Sequence, residues 1–238
     1  MKRYGYLGQL LVFLILVPIG FRRYFFSGSQ VFSLPLGVHL HAMGMVLWCL
    51  VLLAQWKFAR RGPFSNHRRL GIAAATLAPL LVASMLWMLG YSFERMAPHL
   101  SLEDNLAQVF YPFSQTLGFS LFFLLAWLNR RQGPHHKVYI LWATVILLGP
   151  TLGRLPWSQV GLQHIDMDLW IMNGIVLLFT LATGRRKHWK PYAVGMLVFA
   201  GLHLGYLFLP YTDVWQIIAK GWFLRKGAPE YPWASAYL

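Results

Sequence analysis

Apolar residues fill long stretches of this chain, and charged residues or Pro and Gly interrupt them at intervals. The stretches are 16 to 23 residues long, close to the length of about 17–25 residues that a helix needs to cross a bilayer. The stretches lack an alternation of period two and are rich in Leu, Ala, Val and Phe, so we expect helices and not barrel strands. The pattern predicts seven transmembrane spans, at residues 4–21, 36–56, 70–91, 106–128, 138–153, 165–184 and 192–210.

The predicted connections between spans are too short to hold a second domain. We therefore expect an all-α transmembrane bundle over residues 1–210 and a C-terminal segment over residues 211–238. That segment carries apolar residues at helical spacing, namely Trp215, Ile217, Ile218, Trp222 and Phe223. The spacing predicts an amphipathic helix that lies in the outer membrane interface or docks a partner, or else covers its own bundle.

The first predicted span also has the outline of a signal peptide, because Lys2 and Arg3 precede an apolar run. Arg22 and Arg23 follow that run, however, and the nearest small-x-small cleavage pattern lies beyond them at Ser27. We interpret the segment as a retained signal-anchor helix.

Composition supports a polytopic membrane protein. The chain is 57% hydrophobic and 12% charged, whereas soluble domains carry about 25% charged residues. This composition excludes a disordered chain and an ordinary soluble domain. The single cysteine, Cys49, excludes an internal disulfide and a thiolate zinc site.

The net charge of +14 follows mainly from where the basic residues lie. Fourteen of the 21 Lys and Arg residues precede the first span or occupy the loops after the second, fourth and sixth spans. The other seven, and all seven acidic residues, lie on the opposite side. The positive-inside rule then predicts a cytoplasmic N-terminus and an external C-terminus. Because the basic residues flank spans, we expect them to contact membrane lipids and not nucleic acid.

The string His67-Arg68-Arg69-Leu70-Gly71 opens the third predicted span, and His39, His41 and Gln55 precede it on the second. This hairpin resembles the corresponding hairpin of cytochrome b561-like proteins. With the later features His136-Lys137 and Gly153-Arg154-Leu155-Pro156, most of the chain resembles a family of uncharacterised bacterial polytopic membrane proteins. The first resemblance implies a membrane redox protein with haem, and the second implies the multi-pass fold in a bacterial inner membrane.

Polar residues within membrane spans are costly, and each is a functional-site hypothesis. Several lie in the predicted outer half, and they are His39, His41, Gln115, Arg154, Asn173 and His203. Arg154 follows Gly149-Pro150, where the fifth span should break and free backbone carbonyls. We therefore predict a polar pocket that opens outward, with these six residues as its cofactor-binding candidates and Asp166 and Asp168 at its rim.

Three interpretations of these residues remain open. His41 and His203 lie at similar predicted depths and could ligate haem b. The sequence His164-x-Asp166-x-Asp168 offers ligand types that suit Zn or Cu. In the structural alternative, His41 belongs to a hydrogen-bond network and Arg154 pairs with Asp166 or Asp168.

The sequence thus favours a redox-type membrane protein that binds haem or another lipophilic cofactor. A non-catalytic subunit or assembly factor of a larger membrane complex is the first alternative, and a lipid or small-molecule carrier is the second. A phosphate-binding loop and a Gly-x-Ser-x-Gly elbow are absent from the sequence. Charged residues near span centres are also absent, which argues against an ion-coupled transporter.

Overall fold

The structure of the protein is a computed structural model that describes residues 19–22, 33–155, 167–183 and 188–224. Within these ranges the chain is helical and contains no strand, which confirms the all-α class. The main helices are α1 (Leu36–Arg61), α2 (Phe64–Met96), α3 (Leu102–Leu128), α4 (Gly133–Ile146), α5 (Gly149–Leu152), α6 (Met167–Thr183), α7 (Lys190–Phe208) and α8 (Asp213–Phe223).

Four of these helices are long and apolar enough to cross a membrane, namely α1, α2, α3 and α7. They contain most of the second, third, fourth and seventh predicted spans. Helix α6 is apolar but shorter, and it covers most of the sixth predicted span. The first predicted span lies almost wholly outside the described residues, as do Asp166 and His164.

Some helices extend beyond the predicted spans. Helix α2 begins at Phe64, directly after Pro63, although the apolar pattern marks residue 70 as the start of the span. Helix α3 begins after Ser101, whose Oγ accepts a hydrogen bond from the Asp104 amide at 3.1 Å. A hydropathy pattern marks the part of a helix that matches hydrocarbon, whereas caps and prolines decide where the helix itself starts.

The fifth predicted span is not one continuous helix, because α4 ends at Ile146 and α5 covers only Gly149–Leu152. Pro150 has no N–H and cannot donate to the Ile146 carbonyl, so the regular ladder stops there. The backbone tightens instead: the amide of Leu147 donates to Thr144 and that of Leu148 donates to Val145, at 3.2 and 3.0 Å. The expected break therefore occurs, and it shortens this segment as a spanning helix.

The long helices pack as consecutive neighbours, α1 on α2, α2 on α3 and α3 on α4, while α7 packs on α6, α4 and α3. Trp142 on α4 is completely buried at the centre of the core. Its Nε1 donates to the Pro191 carbonyl at 3.0 Å, and its ring meets the edges of Phe179, Tyr192 and Phe199. This one side chain therefore joins α4 to α6 and α7.

The described charges divide between the two ends of the bundle. We call one the arginine end, defined by Arg60, Arg68, Arg69, Arg130 and Lys190 at helix termini. We call the other the carboxylate end, defined by Glu94, Glu103, Asp104, Asp168 and Asp213. Rows of apolar residues separate the two ends along each long helix.

Helix α8 packs across the start of α3 at the carboxylate end. Thr212 caps it by accepting from the Trp215 amide. The Trp215 indole is buried and donates to the Leu106 carbonyl at 2.7 Å, and its ring meets Phe110 edge to face. The opposite face of α8 is apolar and exposed, with Ile217 at 69% exposure.

The tight packing at Gly195 makes a testable prediction about the fold. A Cβ at Gly195 would lie 2.2 Å from Trp142 Nε1, and the indole cannot move away without losing its bond to Pro191. Gly195→Ala should therefore lower the free energy of unfolding by about 1–3 kcal/mol, the usual cost of overpacking. Unfolding of the detergent-solubilised protein by SDS, followed by circular dichroism, measures this change.

Gly201 on the same helix provides the matched control, because a Cβ there would meet nothing within 4 Å. Gly201→Ala should leave stability unchanged or raise it slightly. Equal losses in both variants would contradict the packing argument.

Candidate functional site

Polar side chains from four parts of the fold lie towards the carboxylate end, and we call this group the polar centre. It consists of Tyr111 and Gln115 on α3, Arg154 after α5, Asp168 on α6 and the pair Asn173–His203 between α6 and α7. Tyr111 and Gln115 are four residues apart and therefore share one face of α3. The Tyr111 ring also meets Tyr206 of α7 at 5.5 Å between centroids, which links the α6–α7 side of the group to α3.

The hydrogen bond between Tyr111 and Asp168 ties α3 to the first turn of α6. The Tyr111 hydroxyl donates to Asp168 Oδ2, and Asp168 is buried. A buried carboxylate is costly unless donors surround it. The tyrosine hydroxyl therefore supplies part of what holds this carboxylate inside the bundle.

Gln115 is the least satisfied group of the centre. It is 1% exposed, and within the described part of the chain neither its Nε2 nor its Oε1 has a hydrogen-bond partner. A buried polar atom left without a partner costs about 1–3 kcal/mol. An amide placed here with both atoms unpaired indicates a position that a hydrogen-bonding molecule completes.

Gly149 allows the helix break to approach this amide closely. A Cβ at Gly149 would lie 2.4 Å from the Tyr111 hydroxyl and 3.0 Å from Gln115 Oε1. Any larger residue would push α5 away from α3. The glycine is therefore required for Tyr111 and Gln115 to lie against the interrupted segment.

Arg154 provides the positive charge of the centre. Its guanidinium donates to the Pro150 carbonyl at 2.5 Å and lies 4.8 Å over the Phe21 ring. The residue retains exposed surface, yet enough protein surrounds it that burial lowers the pKa of the guanidinium. Tyr111 opposes that shift, and the like charge of Arg95 adds to it. The ordinary pKa of arginine is so high that the group stays charged.

Asn173 and His203 form a hydrogen-bonded pair between α6 and α7. Asn173 Nδ2 lies 2.9 Å from the Leu169 carbonyl and 3.2 Å from His203 Nδ1. Since the amide nitrogen is a donor to both, His203 Nδ1 accepts and its proton sits on Nε2. The Trp170 ring meets the His203 ring edge to face at 4.6 Å and fixes its orientation.

His41 lies on the other flank, where α1 packs on α2. Its Nδ1 is 3.0 Å from Ser84 Oγ, and Ser84 itself donates to the Leu81 carbonyl at 2.7 Å. The serine hydroxyl therefore accepts from His41, which places the imidazole proton on Nδ1 and leaves a lone pair on Nε2. The charge of Arg154 acts on this ring, so His41 is electrostatically linked to the polar centre.

The structure places Gln115 beside Gly149 and pairs Asn173 with His203, and the contact between Tyr111 and Tyr206 joins α3 to the helix that carries His203. His39 is two residues from His41 on α1, which turns it about 200° around the helix. The structure adds residues that the sequence analysis did not select, namely Tyr111, Tyr206, Ser84 and Trp170. Tyr111 had a usable signal, because it precedes Gln115 by one helical turn.

The proposed metal ligands His164 and Asp166 lie outside the described residues, and Asp168 accepts from Tyr111. Over residues 19–22, 33–155, 167–183 and 188–224, no group of three or more His, Cys, Asp or Glu side chains is arranged to hold a metal ion.

The string His67-Arg68-Arg69-Leu70-Gly71 lies at the arginine end, away from the polar centre. Gln55 Nε2 donates to the His67 carbonyl at 3.1 Å and joins α1 to α2. His136 Nδ1 donates to the Ala126 carbonyl at 2.8 Å, and burial lowers the pKa of this imidazole. These contacts hold the first turn of α2 against α1 and the first turn of α4 against α3.

No protein-family model matches the chain, and neither the search of curated proteins nor that of solved structures gives a match.

The contact between Tyr111 and Asp168 makes a second testable prediction. Tyr111→Phe keeps the ring but removes a donor from a buried carboxylate, so it should lower the free energy of unfolding by about 1–3 kcal/mol. In an Asp168→Asn background the same change should cost clearly less, since the two residues interact directly. Thermal unfolding of the four proteins in detergent measures the coupling.

Tyr91→Phe is the matched control, because the Tyr91 ring stacks on Trp87 at 5.5 Å and lies near the same end. Its effect should be small in both backgrounds. Coupling to Asp168 as large as that of Tyr111 would contradict a specific hydrogen bond.

Proposed function

We propose that this chain is a redox-type integral membrane protein that binds a lipophilic cofactor in the polar centre. The observation that carries the proposal is the Gln115 amide, which is buried beside Gly149 and has no partner for either atom in the described part of the chain. In an apolar bundle such a group is expensive unless a bound molecule completes its hydrogen bonds.

The proposal includes seven spans in a bacterial inner membrane, with the arginine end in the cytoplasm and the carboxylate end outside. Four helices have the length and apolar character for spanning, and the separation of charges supports this orientation by the positive-inside rule. The polar centre then lies in the outer half of the membrane.

Haem b is the cofactor that the resemblance to cytochrome b561-like proteins favours, with His41 and His203 as its candidate ligands. Iron binds an unprotonated imidazole nitrogen. His41 fits this requirement at Nε2, because Ser84 holds its proton on Nδ1. His203 fits only after the Asn173 amide rotates. In the structure the amide donates to His203 Nδ1, so the imidazole proton is on Nε2 and that nitrogen has no free lone pair. His41 is therefore the stronger candidate of the two.

The visible absorption spectrum of the purified protein tests this proposal. Protein produced with haem supplied should show a Soret band, and His41→Ala should abolish it. His203→Ala should abolish or shift the band, because the second ligand is lost. His188→Ala, at the arginine end beside His135, is the control and should leave the band unchanged.

A colourless protein would exclude haem, and a solvent extract of the same preparation then tests for another lipophilic cofactor. Mass spectrometry should find a bound lipophile whose amount falls in Gln115→Leu. An extract that contains only phospholipid, in equal amounts from both proteins, would contradict the proposed function.

A second candidate function is a subunit or assembly factor of a larger membrane complex. The specific observation is the free face of α8, where three large apolar residues are more than half exposed while Trp215 anchors the opposite face. They are Val214, Ile217 and Ile218. This arrangement fits a helix held rigidly in place so that its outer face meets another protein.

Native mass spectrometry after extraction in mild detergent tests this second candidate. The wild-type chain should occur in a particle heavier than its own 27.4 kDa. Ile217→Glu should release the chain by placing a charge on the contact face. Lys220→Gln, on the same helix, should not. A chain that is always found alone would count against this function.

A further inference from the structure

A groove runs along the exposed surface of α2 at the arginine end, at a distance from the polar centre. It is open, and its lining comes from α2 alone, namely Phe64, Ser65, Arg68, Arg69 and Ile72. These residues recur at intervals of four and therefore form one face of the helix. The groove starts at the first residue of α2 and runs about 12 Å towards the middle of the helix, at 1.5 Å per residue.

The two arginines of the groove differ from other arginines at this end. The Arg60 guanidinium lies 4.9 Å over the Trp56 ring. That of Arg130 lies 4.8 Å over the Trp127 ring and donates to the Trp127 carbonyl. Arg68 and Arg69 are exposed, and among the described residues neither has a hydrogen bond, an ion pair or a ring contact. They therefore offer their donors to something outside the chain.

The apolar walls of the groove are exposed as well. Phe64 is 76% exposed and Ile72 is 56% exposed, and both lie on a helix that is long and apolar enough to span a membrane. Ile72 lies within the apolar span that starts at residue 70, so its exposed side chain faces acyl chains, whereas Phe64 lies before that span at the first residue of the helix. The groove thus places two guanidinium groups beside a surface that suits hydrocarbon.

We propose that this groove is a binding site for one anionic phospholipid. Arg68 and Arg69 hold the phosphate and the second anionic or polar part of the headgroup, and one acyl chain lies along Ile72, one turn deeper in the helix than Arg68. Guanidinium groups bind phosphate oxygens through paired N–H donors. All described carboxylates lie at the other end of the bundle, so the local charge is uniformly positive and favours an anionic lipid over a zwitterionic one.

Lipid titrations followed by native mass spectrometry test the proposal on the full chain in detergent. The probes are phosphatidylglycerol and phosphatidylcholine with identical acyl chains. For the first lipid molecule bound, the dissociation constant of the wild-type protein should be about tenfold lower for phosphatidylglycerol than for phosphatidylcholine. The reason is that each basic residue near the headgroup adds to the attraction. The double variant R68Q/R69Q should lose this preference.

The matched control is R130Q/R131Q, which removes the same two charges from the same end but outside the groove. It should keep the preference for phosphatidylglycerol. An equal loss of the phosphatidylglycerol preference in the two double variants would overturn the proposal. It would indicate that anionic lipid is attracted to the positive charge of this end in general. Circular dichroism establishes that each variant is folded before the titration.

A second arm separates a lipid site from a site for free phosphate. Ile72→Ser removes the apolar wall on the membrane side and keeps both arginines. This variant should bind phosphatidylglycerol more weakly, whereas inorganic phosphate should not compete with the lipid in the wild-type protein. Unchanged lipid binding in the variant, or displacement by inorganic phosphate, would overturn the assignment to a phospholipid.

Discussion

A backbone carbonyl inside an apolar bundle needs a hydrogen-bond donor from the protein. The arrangement of this molecule depends on the Ile146 carbonyl, for which the residue four positions later supplies no N–H. Pro150 cannot donate to Ile146, so the helix ends in the core. The short α5 then turns beside α3 with Gly149 against Tyr111 and Gln115. The polar side chains gather where the backbone is already irregular, as membrane proteins generally require.

The helical class and the position of the break follow from the sequence because both rest on local chemistry. Leu-rich stretches of spanning length predict helices, and Gly149-Pro150 predicts an interruption. The polar set was also largely predictable, since Gln115, Asn173 and His203 are costly in a span whatever their neighbours are. Each of these inferences needs only a short window of sequence.

The partners of those residues could not be predicted in the same way. That Tyr111 donates to Asp168, or that Asn173 fixes the proton of His203, depends on which helices become neighbours. Helix pairing is decided by small contacts such as Gly195 against Trp142, which leave no periodic signal in the sequence. The tautomers of His41 and His203 can therefore be assigned only after the fold has shown their hydrogen-bond partners.

The contact between residue 20 and α5 has a consequence for the order in which the chain matures during synthesis. Gly20 lies against Thr151, and Phe21 lies under Arg154, so residues separated by more than half of the 238-residue chain meet beside the polar centre. The neighbouring pairs α1–α2 and α3–α4 can form as soon as each hairpin leaves the ribosome. The polar centre is incomplete until α6 and α7 have been inserted into the membrane, because Asp168, Asn173 and His203 lie on these helices. Until then, Gln115 and Tyr111 lie in a partly assembled bundle. Every contact of the polar centre that involves Asp168, Asn173 or His203 therefore forms late in synthesis, after α1 to α5 have been made.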